Sequence, residues 1–144
     1  MSVDLATFAE KAAAVERHLE RVHTYLPASA DELQPSSIQL DVVLLHLWKA
    51  AQITLDLAMS VAVRLHLGTP RSYAESFRTL TSAGVLKQEL ADRLVQMAGF
   101  RNRVAHAYET IDVQRVYDAA VQGPADLRAF LVVIRDLYAA GRLK

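Results

Sequence analysis

Apolar residues recur at steps of three and four along almost the whole chain, the spacing of one face of an α-helix. The first such stretch runs from about Val3 to Tyr25. A polar linker, Ala28 to Pro35, separates it from a longer and more apolar stretch that Ser36 or Ser37 can cap and that runs to about Leu67. The first half of the chain therefore predicts two long helices.

The second half repeats this pattern in shorter pieces. After a break at Gly68-Thr69-Pro70, a short helix is predicted from Tyr73 to Leu80, and helical spacing returns from Lys87. Asp112 can cap a fifth helix, which Gly123-Pro124 is expected to break or kink before a last helical segment from Asp126 to Ala140. Nothing alternates as a strand would, so the sequence predicts an all-α fold, a single-domain antiparallel bundle of five to six helices over residues 1–144.

One polar stripe interrupts the apolar second helix. Its members follow one another at steps of three and four residues: Lys49, Gln52, Asp56, Ser60 and Arg64. Such a stripe is either the solvent-exposed edge of a central helix, or it lies against a partner subunit or beside the motif described below. The spacing leaves both interpretations open.

Composition narrows the class of protein. With 16 basic and 16 acidic residues the formal net charge is +0, so any contact with nucleic acid has to come from a local patch. The absence of cysteine excludes disulfides and thiolate metal sites and fits a reducing compartment such as the cytoplasm. The first residues, from Met1 to Leu5, lack the pattern of a secretory signal, and the charges within the apolar run from Leu40 to Leu67 favour a buried core helix over a membrane span.

The densest group of polar side chains lies between Gly99 and Tyr108. There Arg101 and Asn102 are followed by His106, four residues after the asparagine, and then by Tyr108. Cleavage of an RNA phosphodiester needs a fixed positive charge for phosphate oxygens, a group that titrates near neutral pH and an amide to orient it. The segment supplies all three.

Helix geometry sets limits on how these side chains combine. Asn102 and His106 share a face, so the amide can orient the imidazole. Arg101 and His106 are about 140° apart around the axis, and Tyr108 reaches the same groove only if the helix ends near His106. A two-fold dimer would bring two arginines and two histidines to one cleft.

Other interpretations remain for these and neighbouring residues. A histidine at a helix end is often a purely structural group, and Arg103 either faces solvent or an acidic neighbour such as Asp56, or contacts phosphate. The other four histidines show no metal-ligand spacing, so no metal site is assigned: His18, His23, His46 and His66. Phosphate-binding glycine loops and paired catalytic carboxylates are also missing.

With these residues in place, the sequence resembles the HEPN superfamily, and within it the HepT-like toxins of bacterial and archaeal toxin-antitoxin pairs. The Arg-x4-His-x-Tyr pattern of those toxins falls on Arg101, His106 and Tyr108 without a departure. The resemblance covers most of the chain and includes further segments: Lys49-Ala50-Ala51-Gln52 with Asp56, Gly68 to Tyr73, Phe77 to Leu80, Gly84-Val85-Leu86 and Gly99 to Asn102.

The resemblance implies a homodimeric, metal-independent endoribonuclease that needs no cofactor. In it His106 would be the acid and base for attack by the ribose 2′-hydroxyl, Arg101 would stabilise the phosphorane-like charge and Asn102 would orient its neighbours. It also implies a cognate MntA-like minimal nucleotidyltransferase antitoxin that neutralises the toxin by transferring AMP from ATP to Tyr108, as in type VII-like systems. The alternative is a non-catalytic HEPN module that docks a nucleotidyltransferase. A purely structural helical bundle is the third possibility.

Overall fold

The computed structural model describes residues 4–144, which form five α-helices and two short 3-10 helices with no strand in that range. The α-helices are α1 (Leu5–Tyr25), α2 (Ile38–Arg64), α3 (Tyr73–Ser82), α4 (Gln88–Ala107) and α5 (Val113–Ala139). The 3-10 helices are Ala30–Glu32 and Tyr108–Thr110. The predicted all-α fold is confirmed. The predicted helix start at Val3 lies outside the described residues, as do residues 1–3 of the segment that lacks a signal pattern.

Short polar side chains fix where the helices begin. The Ser37 hydroxyl accepts a hydrogen bond from the Leu40 N–H at 3.0 Å, so Ser37, and not Ser36, caps α2. Asp4, Ser72 and Asp112 cap α1, α3 and α5 in the same way. Each bond satisfies a donor that the first turn of a helix leaves unpaired.

The centre of the bundle is α2, which contacts α1, α3, α4 and α5. Its residues Leu44, Leu47 and Leu55 are fully buried, and beside them the rings of Phe77 and Phe130 meet edge to face with centroids 5.5 Å apart. By length and composition α2 would suffice to cross a membrane, but half of its most apolar stretch is buried inside the bundle. The core of the fold thus accounts for the apolar character of this helix, as predicted.

Of the break or kink predicted at Gly123-Pro124, the break is wrong, because α5 runs through Pro124 as one helix. A proline inside a helix removes one backbone hydrogen bond and strains the preceding turn. Here buried residues lie on both sides of it, Ala120 and Leu127, so packing against the bundle holds the two halves in one helix. The described residues accordingly form five α-helices, the lower of the two predicted numbers.

Candidate active site

The polar motif occupies the end of α4. Arg101, Asn102 and Arg103 lie on its last full turns and His106 on its final turn, and the α-helix ends at Ala107. Tyr108 starts the 3-10 helix that follows. The predicted helix end near His106 is therefore confirmed, and it frees Tyr108 from the face that an unbroken helix would impose.

Arg101 is held by side chains from three helices. Its Nε donates a hydrogen bond to Gln52 Oε1 at 2.6 Å, and its Nη1 donates to Asn102 Oδ1 at 3.1 Å. The guanidinium carbon lies 5.3 Å from the ring centroid of Trp48 on α2 and 5.8 Å from that of Tyr73 on α3. Two aromatic faces and a short hydrogen bond fix the plane of the cation, as a site for phosphate oxygens requires.

Gln52 connects Arg101 to an acidic group. Its Nε2 donates to Tyr73 Oη at 2.8 Å and to both oxygens of Asp56 at 3.1 Å, and Tyr73 in turn donates to Asp56 at 2.8 Å. Burial and the Asp56 hydrogen bond raise the pKa of Tyr73, which keeps its hydroxyl a donor. Each interpretation of the α2 stripe holds for part of it: Gln52 and Asp56 lie beside the motif, whereas Lys49 is exposed to solvent. Arg64 donates to Tyr138, away from the motif.

Asn102 and His106 do not meet as their spacing predicts. The oxygen of Asn102 accepts from its neighbour Arg101, whose long side chain reaches it first, and both Asn102 and His106 are exposed. Within the described chain no hydrogen bond orients the imidazole. A single subunit thus holds the guanidinium of Arg101 in place but provides no hydrogen bond, among the described residues, that orients His106.

Tyr108 bends back to the start of α2. Its hydroxyl donates to Asp41 Oδ1 at 2.8 Å while the residue stays 45% exposed. Burial of the hydroxyl, together with Asp41 and Glu109, raises the pKa of Tyr108 to about 12. Asp41 and Gln52 are eleven residues apart on one side of α2, so the two anchors lie about 16 Å apart along the helix. Tyr108 and Arg101 are therefore bonded to the same side of α2 at two separate points.

Arg103 lies apart from this groove. It is exposed and lines a hollow of about 230 Å³ between α4 and α5, together with Arg93, Arg115 and Asp118. Two residues along a helix turn a side chain by about 200°, which accounts for its separation from Arg101. The acidic neighbour Asp56 proposed for it is instead bonded to Gln52 and Tyr73.

A larger pocket of about 800 Å³ opens beside Arg101. Asn102, Asp56 and Tyr73 form its polar rim, and Val95 and Leu57 are part of its apolar wall. Its size falls within the range of small-molecule sites. Among the described residues, 4–144, no three side chains of the metal-ligating types come together.

Sequence reasoning missed several residues of this site. Trp48 fits the apolar spacing of a core helix, so nothing in the pattern marks it as a site residue. Tyr73 and Asp41 belong to no catalytic motif. Two signals in the sequence point to part of this site: the polar stripe contains Gln52 and Asp56, and the segments that carry the family resemblance include both of these residues and Tyr73.

Comparison with known proteins shows which family the chain resembles. Residues 15–134 match the Ribonuclease HepT-like family. The mRNA nuclease HepT of Shewanella oneidensis is 27% identical over 125 residues, which cover 87% of this chain and 93% of that protein. The tRNA nuclease HepT of Aphanizomenon flos-aquae is 27% identical over 105 residues, 73% of this chain and 71% of that protein.

A solved structure shares the fold. The tri-AMPylated Shewanella oneidensis HEPN toxin, in complex with its MNT antitoxin, superposes with a TM-score of 0.80 at 26% identity, covering 90% of this chain and 96% of that one. Because the family match spans five-sixths of the sequence and includes the whole Arg-x4-His-x-Tyr segment, the chain belongs to the HepT-like ribonuclease family.

Proposed function

We propose that this protein is the toxin of a type VII-like toxin-antitoxin system, a metal-independent endoribonuclease that uses Arg101 and His106. The observation that carries the proposal is the fixed guanidinium of Arg101, clamped by Trp48, Tyr73 and Gln52 at the end of the helix that presents His106. Its relatives in Shewanella and Aphanizomenon are named nucleases of mRNA and tRNA.

The chemistry follows from the two side chains. The neutral imidazole of His106 takes the proton of a ribose 2′-hydroxyl as its oxygen attacks the adjacent phosphorus. The bond from phosphorus to the 5′-oxygen breaks, the leaving oxygen takes up the proton from the His106 imidazolium so formed, and a 2′,3′-cyclic phosphate remains. Arg101 stabilises the charge that builds up on the phosphoryl oxygens, and Asn102 helps to hold Arg101 in place.

A homodimer would complete the site. Ile38 and Leu45 are exposed apolar residues, 78% and 47% accessible, and they precede Gln52 at steps of seven on the same side of α2. Seven residues are two helical turns, so these apolar side chains flank the Arg101 site. A second copy packed on them would bring two motifs to one cleft and supply surroundings for His106 that one subunit lacks.

Cleavage of RNA by the purified protein tests this proposal. Wild type, freed of any partner, should cleave RNA in the presence of EDTA, and His106→Ala and Arg101→Ala should each abolish cleavage while remaining folded. His23→Ala, at an exposed histidine remote in sequence from the motif, is the matched control. Undiminished cleavage by His106→Ala would reject the assignment.

Tyr108 is the residue at which we expect a partner to act. A cognate MntA-like minimal nucleotidyltransferase would transfer AMP from ATP: the Tyr108 oxygen attacks the α-phosphorus, diphosphate leaves and the phenolic proton passes to Asp41. The hydrogen bond from Tyr108 to Asp41 aligns donor and base for this step. The related HEPN toxin in the solved complex is AMPylated and bound to its antitoxin. Added adenylate would put negative charge and bulk into the groove that RNA phosphates must enter.

Intact-mass measurement tests the modification. Protein co-expressed with its proposed cognate MntA-like nucleotidyltransferase should gain AMP units, and Tyr108→Phe should gain none. Tyr25→Phe, at an exposed tyrosine at the end of α1, should be modified as wild type is. Unmodified wild-type protein under these conditions would count against this regulation.

The exposed, unoriented His106 favours one second candidate, a non-catalytic HEPN module that docks the nucleotidyltransferase. Both candidates bind the same partner, so toxicity separates them. Expression of wild type in the cytoplasm, where its RNA substrates are, should arrest growth, and Arg101→Ala should not. Equal tolerance of both would favour the docking module.

A further inference from the structure

A cationic surface lies where α1 packs against α2. We call this surface the basic face. It comprises the exposed Arg17 and Arg21 of α1, the exposed Lys49 of α2 and the half-buried His18 and His46. Arg17 and Arg21 are four residues apart, so they share a side of α1, and Lys49 follows His46 by three on α2.

Two histidines join the helices at the centre of the basic face. His18 Nδ1 and His46 Nδ1 are 2.9 Å apart, and the ring centroids are separated by 5.2 Å. Burial lowers the pKa of both rings, and the surrounding cations lower it further. At neutral pH one neutral ring therefore donates to the other. The histidine positions show no metal-ligand spacing in the sequence, yet two of them meet in the fold because helix packing closes a separation of 28 residues.

Among the described residues no ion pair involves the cations of the basic face, although Glu20 is the neighbour of Arg21 in sequence. The three ion pairs of the described chain are Arg93–Asp126, Arg128–Glu16 and Arg135–Asp136, and none involves Arg17, Arg21 or Lys49. Glu16, the carboxylate next to Arg17 in sequence, is taken by Arg128 of α5 at 2.9 Å. A chain with a net charge of +0 thus concentrates unpaired cations on one surface.

The basic face continues into the candidate active site. Lys49 precedes Gln52 by one helical turn, about 4.5 Å along α2, and Gln52 is bonded to Arg101. The exposed part of α2 therefore has Arg101 on its α4 side and the basic face on its α1 side. A strand that places one phosphate on Arg101 can continue over the turn of α2 that holds Gln52 and Lys49, which lies one turn beyond the proposed dimer contact at Leu45, and onto Arg17 and Arg21 of α1.

We propose that the basic face binds the phosphate backbone of the single-stranded RNA that extends away from the phosphate on Arg101. This inference rests on the proposed nuclease function. Flexible, exposed cations suit backbone phosphates because these repeat along any sequence and require charge more than fixed geometry. The basic face would supply the local patch of positive charge that a chain of zero net charge needs in order to bind a polyanion.

Salt-dependent RNA binding tests the proposal. The cleavage-deficient His106→Ala protein is titrated with a short fluorescent single-stranded RNA at several salt concentrations. Adding Arg17→Gln, Arg21→Gln and Lys49→Gln should weaken binding roughly tenfold or more at low salt and reduce the slope of log K against log salt by about 2. The matched control removes two arginines and a lysine that are exposed elsewhere: Arg78→Gln, Arg142→Gln and Lys87→Gln.

Cleavage gives a second readout. On the active background the three basic-face substitutions should raise KM for RNA and leave kcat at saturating RNA unchanged. The proposal would be overturned if the triple basic-face variant had the same RNA affinity and the same salt slope as the control variant. It would also be overturned if that variant bound RNA as before but no longer bound the antitoxin or no longer formed the dimer. If wild type cleaves no RNA while the binding difference is present, the nuclease proposal fails and the basic face stands.

Discussion

Gln52 makes hydrogen bonds on both sides of its amide. Its oxygen accepts from Arg101, while its nitrogen donates to Tyr73 and Asp56. An amide suits this position because it combines an acceptor with two donors, whereas a carboxylate would only accept. In the proposed mechanism Gln52 is thus a positioning residue, which acts on cleavage through Arg101.

Truncating Gln52 should slow cleavage. We expect Gln52→Ala to lower kcat by about 100-fold with a smaller change in KM, because misplacing a catalytic cation by an ångström costs that order of rate. Steady-state cleavage of a defined RNA measures it. Gln52→Glu keeps an acceptor for Arg101 and should retain more activity than Gln52→Ala. Gln39→Ala, at an exposed glutamine of the same helix, should match wild type, and a kcat for Gln52→Ala equal to this control would contradict the positioning role.

Asp41 is expected to control Tyr108. Because its hydrogen bond and charge help to raise the pKa of Tyr108, Asp41→Asn should lower that pKa from about 12 toward the ordinary value of 10.0. The same change removes the proposed proton acceptor, so AMP transfer should slow. Tyrosine-labelled NMR follows the titration and intact mass follows the transfer. An unchanged titration together with an unchanged transfer rate would remove Asp41 from the mechanism.

At the scale of helices, α5 illustrates packing that overrides a local signal. Gly123 and Pro124 read as a break, yet both lie inside one helix. A Cβ added to Gly123 would lie 2.2 Å from Met97 Cε, so this glycine lets α4 approach α5.

This close approach predicts coupling between Gly123 and Met97. Gly123→Ala should cost more stability in the wild-type background than in Met97→Leu, which lacks the terminal methyl, by about 1 kcal/mol. Urea unfolding of the four proteins of the double-mutant cycle measures the difference. Additive effects would show that Met97 moves aside at no cost.

The histidine pair that joins α1 to α2 predicts acid sensitivity. Both pKa values lie below the ordinary value of 6.5 in the fold, through burial, mutual repulsion and the nearby Lys49, Arg17 and Arg21. The unfolded chain therefore binds more protons as the pH falls. The stabilisation should be complete above pH 6.5 and decline below it, as the pH drops through the folded pKa values.

Denaturant unfolding across this pH range tests the sign. The double variant His18→Gln, His46→Gln should show a flatter decline of the unfolding free energy below pH 6.5 than wild type, while His23→Gln should follow wild type. An equally steep decline in the double variant would place the acid sensitivity elsewhere.

At the scale of the whole molecule, the main question is whether one subunit forms a complete active site. The described chain clamps Arg101 but leaves His106 without an orienting hydrogen bond, so the proposed dimer would complete the site. The exposed Ile38 and Leu45 give that dimer an apolar contact beside the cleft.

Subunit mixing tests this dependence. Excess inactive His106→Ala protein, allowed to exchange with wild type, should lower the wild-type specific activity, because mixed dimers would hold an incomplete site. Leu45→Asp should shift the mass measured by sedimentation toward the monomer and lower activity in parallel. Full activity of a monomeric Leu45→Asp protein would show that one subunit is enough.

The sequence by itself determined what depends on near neighbours. A period of 3.6 residues decides which side chains share a helix face, and capping by Ser37 or Asp112 involves residues two or three positions away. The helices and the Arg-x4-His-x-Tyr pattern, and through it the family, were therefore within reach of the sequence.

Tertiary structure alone decided the contacts between distant residues. Arg101 meets Gln52 across 49 residues, Tyr108 meets Asp41 across 67, and the two histidines meet across 28. Such pairs depend on which helix sides the burial of apolar surface brings together, and no local spacing encodes that choice. The same burial carries α5 through Pro124.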